Sequence, residues 1–120
     1  MTISELCQEA HAIALEKGWW NGEKDHPRNV GEQLALMHSE LSEALEEYRD
    51  GHELTEVYYN HFLGDQQLYS APLGFPIELA DLLIRVADTC GRYGIDLDAA
   101  LRAKLDYNRV RPYRHGGKRA

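Results

Sequence analysis

Two pairs of acids at helical spacing, Glu40-x-x-Glu43 and Glu78-x-x-Asp81, carry the chemistry most readily read from this chain. Residues three apart lie on one helical face, so each pair directs two carboxylates the same way and two facing helices can converge all four. Four clustered carboxylates repel one another and call for a hard cation. Oxygen-only ligation suits Mg²⁺, with Mn²⁺ as a substitute, and Mg²⁺ held by a few carboxylates completes its shell with waters and substrate phosphates. The plain alternative is a solvated acidic face, since Glu46 and Glu47 continue the run after Glu43. Asp81 argues against it. It is embedded in the apolar segment IELADLLIRVAD, where its burial needs a metal or a cation to offset it.

Arg85 and Asp88, three apart, can pair with each other. Trp19 and Trp20 read first as core or interface residues, and His26 before Pro27 as a loop residue. The net charge of −7 argues against a long nucleic acid as partner. Yet seven of the 13 Lys and Arg fall between Arg102 and Arg119, a basic end that either complements phosphates or is a solvated tail. Cys7 and Cys90 make neither a metal motif nor a disulfide framework and read as buried thiols. No apolar run approaches the roughly 18 residues that span a bilayer, and the N-terminus lacks the pattern of a signal peptide, so the expected location is cytoplasmic with no membrane partner.

The elements that must position these residues read as helices throughout, without sustained alternation of period two. A chain of 120 residues is expected to form one domain. A first helix runs from about Ser4 to Lys17, with Thr2 and Glu5 spaced as a capping box and Gly18 at its end. The second starts at Asn29, with Glu32 reaching back, and continues to about Arg49; its stripe of Leu34, Met37, Leu41 and Leu45 is expected to face a core. Residues 52–75 hold aromatics without clear periodicity and suggest one or two short helices and a loop. Pro76 opens a third helix ending near Gly94, and Asp96 caps a fourth that stops before Pro112. The expected fold is all-α: a four-helix-bundle-type core over residues 1–111 with an aromatic insertion at about 52–75, then a basic tail at 112–120. Four modest helices leave a groove open, so the bundle is expected to be completed by homo-oligomerisation.

The order ExxE, ExxD, then Lys104 and Asn108 on the last helix resembles the MazG-like all-α nucleotide pyrophosphohydrolases over nearly the whole chain. HPRNVGEQLALMHSELSEALEEYR, from His26, is similar to the corresponding stretch of the dCTP pyrophosphatases, and IELADLLIRVADTCGRYGIDLDAALRAKLDYNRVRPY matches the second half of the same pattern. Two features depart from it: the 34 residues from Ala44 to Ile77 are more than the family usually shows, and RPYRHGGKRA extends beyond the core motif.

The resemblance implies hydrolysis of a nucleoside triphosphate, a dNTP or a non-canonical NTP, to the monophosphate and pyrophosphate. Mg²⁺ would be bound by Glu40, Glu43, Glu78 and Asp81, with Glu43 as the candidate proton acceptor. It further implies phosphate contacts from Lys104 and Asn108, with Arg85 and Arg109 able to add charge, and a base pocket that includes Trp19, Trp20 and His26. A homodimer or homotetramer is implied as well. Two alternatives stand beside it: a phosphoribosyl-ATP pyrophosphohydrolase-like enzyme, and a non-catalytic nucleotide- or partner-binding helical module whose acids are surface charge. A di-iron bundle is disfavoured, because its helical Glu-x-x-His occurs only as Glu23 to His26, in a loop.

Overall fold

The computed structural model describes residues 1–22 and 26–112. Glu23 and the basic tail beyond Pro112 lie outside the described residues. Four helices form where the patterning placed them: α1 Ile3–Glu16, α2 Val30–Arg49, α3 Phe75–Tyr93 and α4 Leu97–Val110. Local hydrogen bonds start three of them. Thr2 accepts from the Glu5 N–H (3.0 Å), Asn29 from the Glu32 N–H (2.9 Å), and Asp96 from the Ala99 N–H (3.0 Å). Gly94 ends α3 in the left-handed region at φ 64°, which a residue without Cβ enters freely.

The all-α expectation is overturned between α2 and α3. There the chain forms an antiparallel hairpin, β1 Tyr58–Gly64 and β2 Gln67–Leu73, in register from Tyr58 opposite Leu73 to Gly64 opposite Gln67. The fold is therefore mixed α/β, four helices with a two-stranded sheet, and the short helices expected over 52–75 are absent. A two-residue turn makes the hairpin: Asp65 and Gln66 both take positive φ (49° and 63°), as a type I′ turn requires. The aromatic residues around it favour strand, and Phe62 stacks on Tyr69 across the pair at 5.4 Å. Alternation of period two is the mark of a strand with one buried face; here Tyr59, Phe62, Leu63, Leu68 and Tyr69 are all exposed, so no such pattern is written. The base of the hairpin is tied to α2 through the Tyr58 hydroxyl, which donates to the Glu47 carboxylate at 2.7 Å. That bond, with burial and nearby acids, pushes the Tyr58 phenol up to about 12.

Helix α3 is the centre of the molecule, with α1 and α2 packed against it and α4 resting lightly on α1. The core is made of small residues, Cys7, Ala10, Ala14, Ala44, Ala87 and Cys90, together with Trp20. Gly91 lets α1 and α3 come close, since a Cβ there would meet the Cys7 carbonyl oxygen at 2.7 Å. The stripe expected to face the core does not. Leu34, Leu41 and Leu45 are about half exposed (50%, 48% and 52%), and the face α2 buries carries Gln33, Glu40 and Ala44. Helix α4 buries no residue at all. With α4 resting only lightly on α1 and burying none of its residues, one copy does not close a four-helix bundle.

Candidate active site

On α3, Glu78, Asp81, Arg85 and Asp88 are spaced three, four and three apart and share one face; on α2, Gln33, Glu40 and Ala44 are spaced seven and four apart. Packing these two faces together builds a polar seam where an ordinary helix pair has an apolar one. Within it Glu40, Glu78 and Asp81 each offer an oxygen within 4.8 Å of the others. Glu40 and Glu78 are buried, Asp81 is partly so, and Glu43 is exposed and outside this triplet.

Only part of that negative charge is answered by the protein. Arg85 Nε donates to Glu40 Oε1 at 2.8 Å. Glu40 Oε2 and Glu78 Oε2 are buried without a hydrogen-bond partner among the described residues. Burial pushes Glu78 up to about 8, reinforced by hydrogen bonds with Glu43 and Glu40 and by the charges of Glu43 and Asp81. Asp81 is raised too, by burial and then by the charge of Glu40, with Arg85 opposing and Glu43 adding.

A cleft of about 370 Å³ opens beside the acids. Glu40, Asp81 and Arg85 border one part of it, while Ile13, Trp19 and Ile84 supply apolar wall. That is a size and polarity suited to a small organic ligand carrying an anionic group. Beneath the cleft runs a buried hydrogen-bond network. Asp88 accepts from Trp20 Nε1 (2.9 Å) and Gln33 Nε2 (3.3 Å), and His11 Nδ1 lies 2.9 Å from the same carboxyl group.

The structure separates the residues singled out in the sequence. Glu40, Glu78 and Asp81 come together, with Glu43 exposed beside them and outside the triplet. Arg85 joins them through Glu40 and not through Asp88, so the local i,i+3 pair does not form. Trp19 lines the cleft. Trp20 does not: it is buried, its indole N–H spent on Asp88 and its ring packed edge-on against Tyr93 at 5.9 Å, which is a core role. His26 lies on an adjoining pocket with Trp19. Lys104, Asn108 and Arg109 stand exposed on α4 and do not line the cleft, and Arg109 pairs with Asp106 at 2.7 Å. Sequence reasoning missed Arg28, Gln33 and the Asp88 hub. The one signal for Gln33 was its place seven residues before Glu40, on the same helical face. Compared with known proteins, the chain matches no family model, no curated protein and no solved structure.

Proposed function

We propose that this chain is a Mg²⁺-dependent nucleoside triphosphate pyrophosphohydrolase, releasing the monophosphate and pyrophosphate. One observation carries the reading: two buried carboxylate oxygens without a partner, Glu40 Oε2 and Glu78 Oε2, inside a triplet of acids that converges within 4.8 Å. Buried acceptors are almost always satisfied, so such a pair marks a place where a cation belongs. Glu40, Glu78 and Asp81 would hold Mg²⁺, with Glu43 beside them. When bound, it would neutralise phosphate oxygens and make a water acidic enough to attack.

The chain supplies the rest. Arg85 uses Nε on Glu40, and its guanidinium borders the cleft where phosphates would lie. Glu43, exposed beside the acids, would take the proton of the attacking water. Trp19, Ile13 and Ile84 would give a planar base an apolar wall to lie against. Lys104, Asn108 and Arg109 enter this reading only from a second copy of the chain, since in one copy they do not border the cleft.

The competing reading is a non-catalytic module, and it too has an observation behind it. Arg85 on Glu40 and a proton on Glu78 let the acids stand without a cation. Equilibrium binding of Mn²⁺, together with a panel of canonical and modified NTPs and dNTPs in Mg²⁺, separates the two. The enzyme is expected to bind Mn²⁺ tightly and release pyrophosphate, not orthophosphate, with diphosphates as poor substrates. Weak Mn²⁺ binding with no turnover of any triphosphate would favour the module, and diphosphate plus orthophosphate would mean a different phosphohydrolase class.

A further inference from the structure

We infer that Arg28 is the base-reading residue of the cleft and selects a nucleobase with two adjacent hydrogen-bond acceptors on one edge. The inference rests on the nucleotide reading above.

The cleft has two guanidinium groups, and they are anchored differently. Arg85 is held among the acids by Glu40. Arg28 borders both the cleft and the adjoining pocket it shares with Trp19, His26 and Glu32. If the acids and Arg85 take the phosphates, the part around Trp19 and Arg28 takes what the phosphates are attached to. Trp19 is half exposed (47%) and lines both pockets, so its ring is available to a planar ligand.

Arg28 is held by its backbone, and its side chain touches one buried partner. Its N–H donates to the Trp20 carbonyl at 3.1 Å, which ties it to the segment carrying both tryptophans. Its guanidinium meets Gln33 Oε1 at 3.5 Å. Gln33 is fully buried, and its Nε2 is committed to the Arg85 carbonyl and to Asp88 Oδ2, both at 3.3 Å, so its oxygen is left facing Arg28. Asp88 is in turn held by Trp20 and His11. A buried amide, carboxyl and indole N–H in so small a core are tolerated only when they satisfy one another. In doing so they set a polar support behind Arg28 at the cleft wall.

Arginine has five N–H donors and no acceptor, and among the described residues Gln33 is its one side-chain partner. Its fork matches a pair of adjacent acceptors. Guanine offers O6 with N7, and cytosine offers N3 with O2. Adenine and uracil alternate donor and acceptor along their edges, so a donor-only fork meets an N–H.

The test is equilibrium binding of GMP, CMP, AMP and UMP to the full chain, followed by calorimetry and by quenching of tryptophan fluorescence, for wild type, Arg28→Ala and Arg28→Lys. Kinetics on the four triphosphates run alongside. Wild type is expected to favour GMP or CMP over AMP and UMP by roughly 10-fold or more. Arg28→Lys keeps the charge but loses the fork, and it should level that preference with helical content unchanged, whether or not Arg28→Ala folds. Turnover without base preference, or a preference that survives Arg28→Lys, overturns the assignment and leaves the functional reading standing. No binding of any of the four and no turnover overturns both.

Discussion

At the scale of single residues, Glu78 sets how the protein responds to pH. Its pKa in the folded chain is about 8 against an ordinary 4.5, so between those values the folded state keeps a proton that the unfolded state has lost. Stability is therefore greatest at low pH in this window and falls as pH rises through it, and the raised Asp81 acts in the same direction. In the presence of a chelator, the difference in Tm between wild type and Glu78→Gln should move against wild type from pH 5 to pH 8. Mg²⁺ or Mn²⁺ added at the alkaline end should restore wild type and leave the variant behind. A difference that stays flat with pH would show that Glu78 is solvated and its burial irrelevant. Turnover tests the same residues another way. Glu40→Gln, Glu78→Gln and Asp81→Asn should each remove nearly all activity with helical content intact. Two variants retaining more than about a tenth of the wild-type rate would place catalysis elsewhere.

At the scale of elements, the hairpin and the α1–α3 crossing make opposite demands on glycine. Gln66 holds a left-handed φ of 63° at a cost of about 1 kcal/mol that glycine would not bear. Gln66→Gly should therefore slow hydrogen exchange of the β1 and β2 amides several-fold, and unchanged or faster exchange would mean the turn is not the limiting feature of the hairpin. At Gly91 the direction reverses. An added methyl would sit 2.7 Å from both the Cys7 carbonyl oxygen and His11 Cβ, and neither is the free end of a flexible side chain. Gly91→Ala should destabilise the protein by about 1 to 3 kcal/mol, read by denaturant titration, because the helices must separate to admit it. Since α1 and α3 both border the cleft, ligand affinity should fall along with stability.

At the scale of the whole molecule, a single copy leaves much undone. Leu34, Leu41, Leu45 and Tyr48 on α2 and Leu79 and Leu83 on α3 are exposed, as are the apolar residues of the hairpin, and α4 covers none of them. Apolar surface on this scale is what an interface would cover, and we propose a second copy of the chain as the partner. The mass in solution should be a multiple of 13.7 kDa, and Tm should rise with protein concentration. Leu41→Glu, on the exposed side of α2, should shift the mass toward the monomer. A wild-type protein that sediments as a monomer with a concentration-independent Tm would rule this out. Among the described residues no helix is long and apolar enough to cross a membrane.

What the amino-acid sequence determined by itself was whatever depends on residues a turn or so apart. Thr2, Asn29 and Asp96 capped their helices as their spacing required and Gly94 stopped α3, because capping bonds and helix-ending turns need no distant partner. Tertiary structure decided what depends on the surface that another element offers. Helix α2 has an apolar stripe at Leu34, Leu41 and Leu45 and a mixed one at Gln33, Glu40 and Ala44, and it was the acidic and basic face of α3 that drew the second inward. The same packing sent Arg85 to Glu40, turned Trp20 into the core while leaving its neighbour Trp19 on the cleft, and linked Arg28 to Asp88 through Gln33. The hairpin escaped notice because strand periodicity records the burial of one face, and Tyr58–Leu73 buries neither.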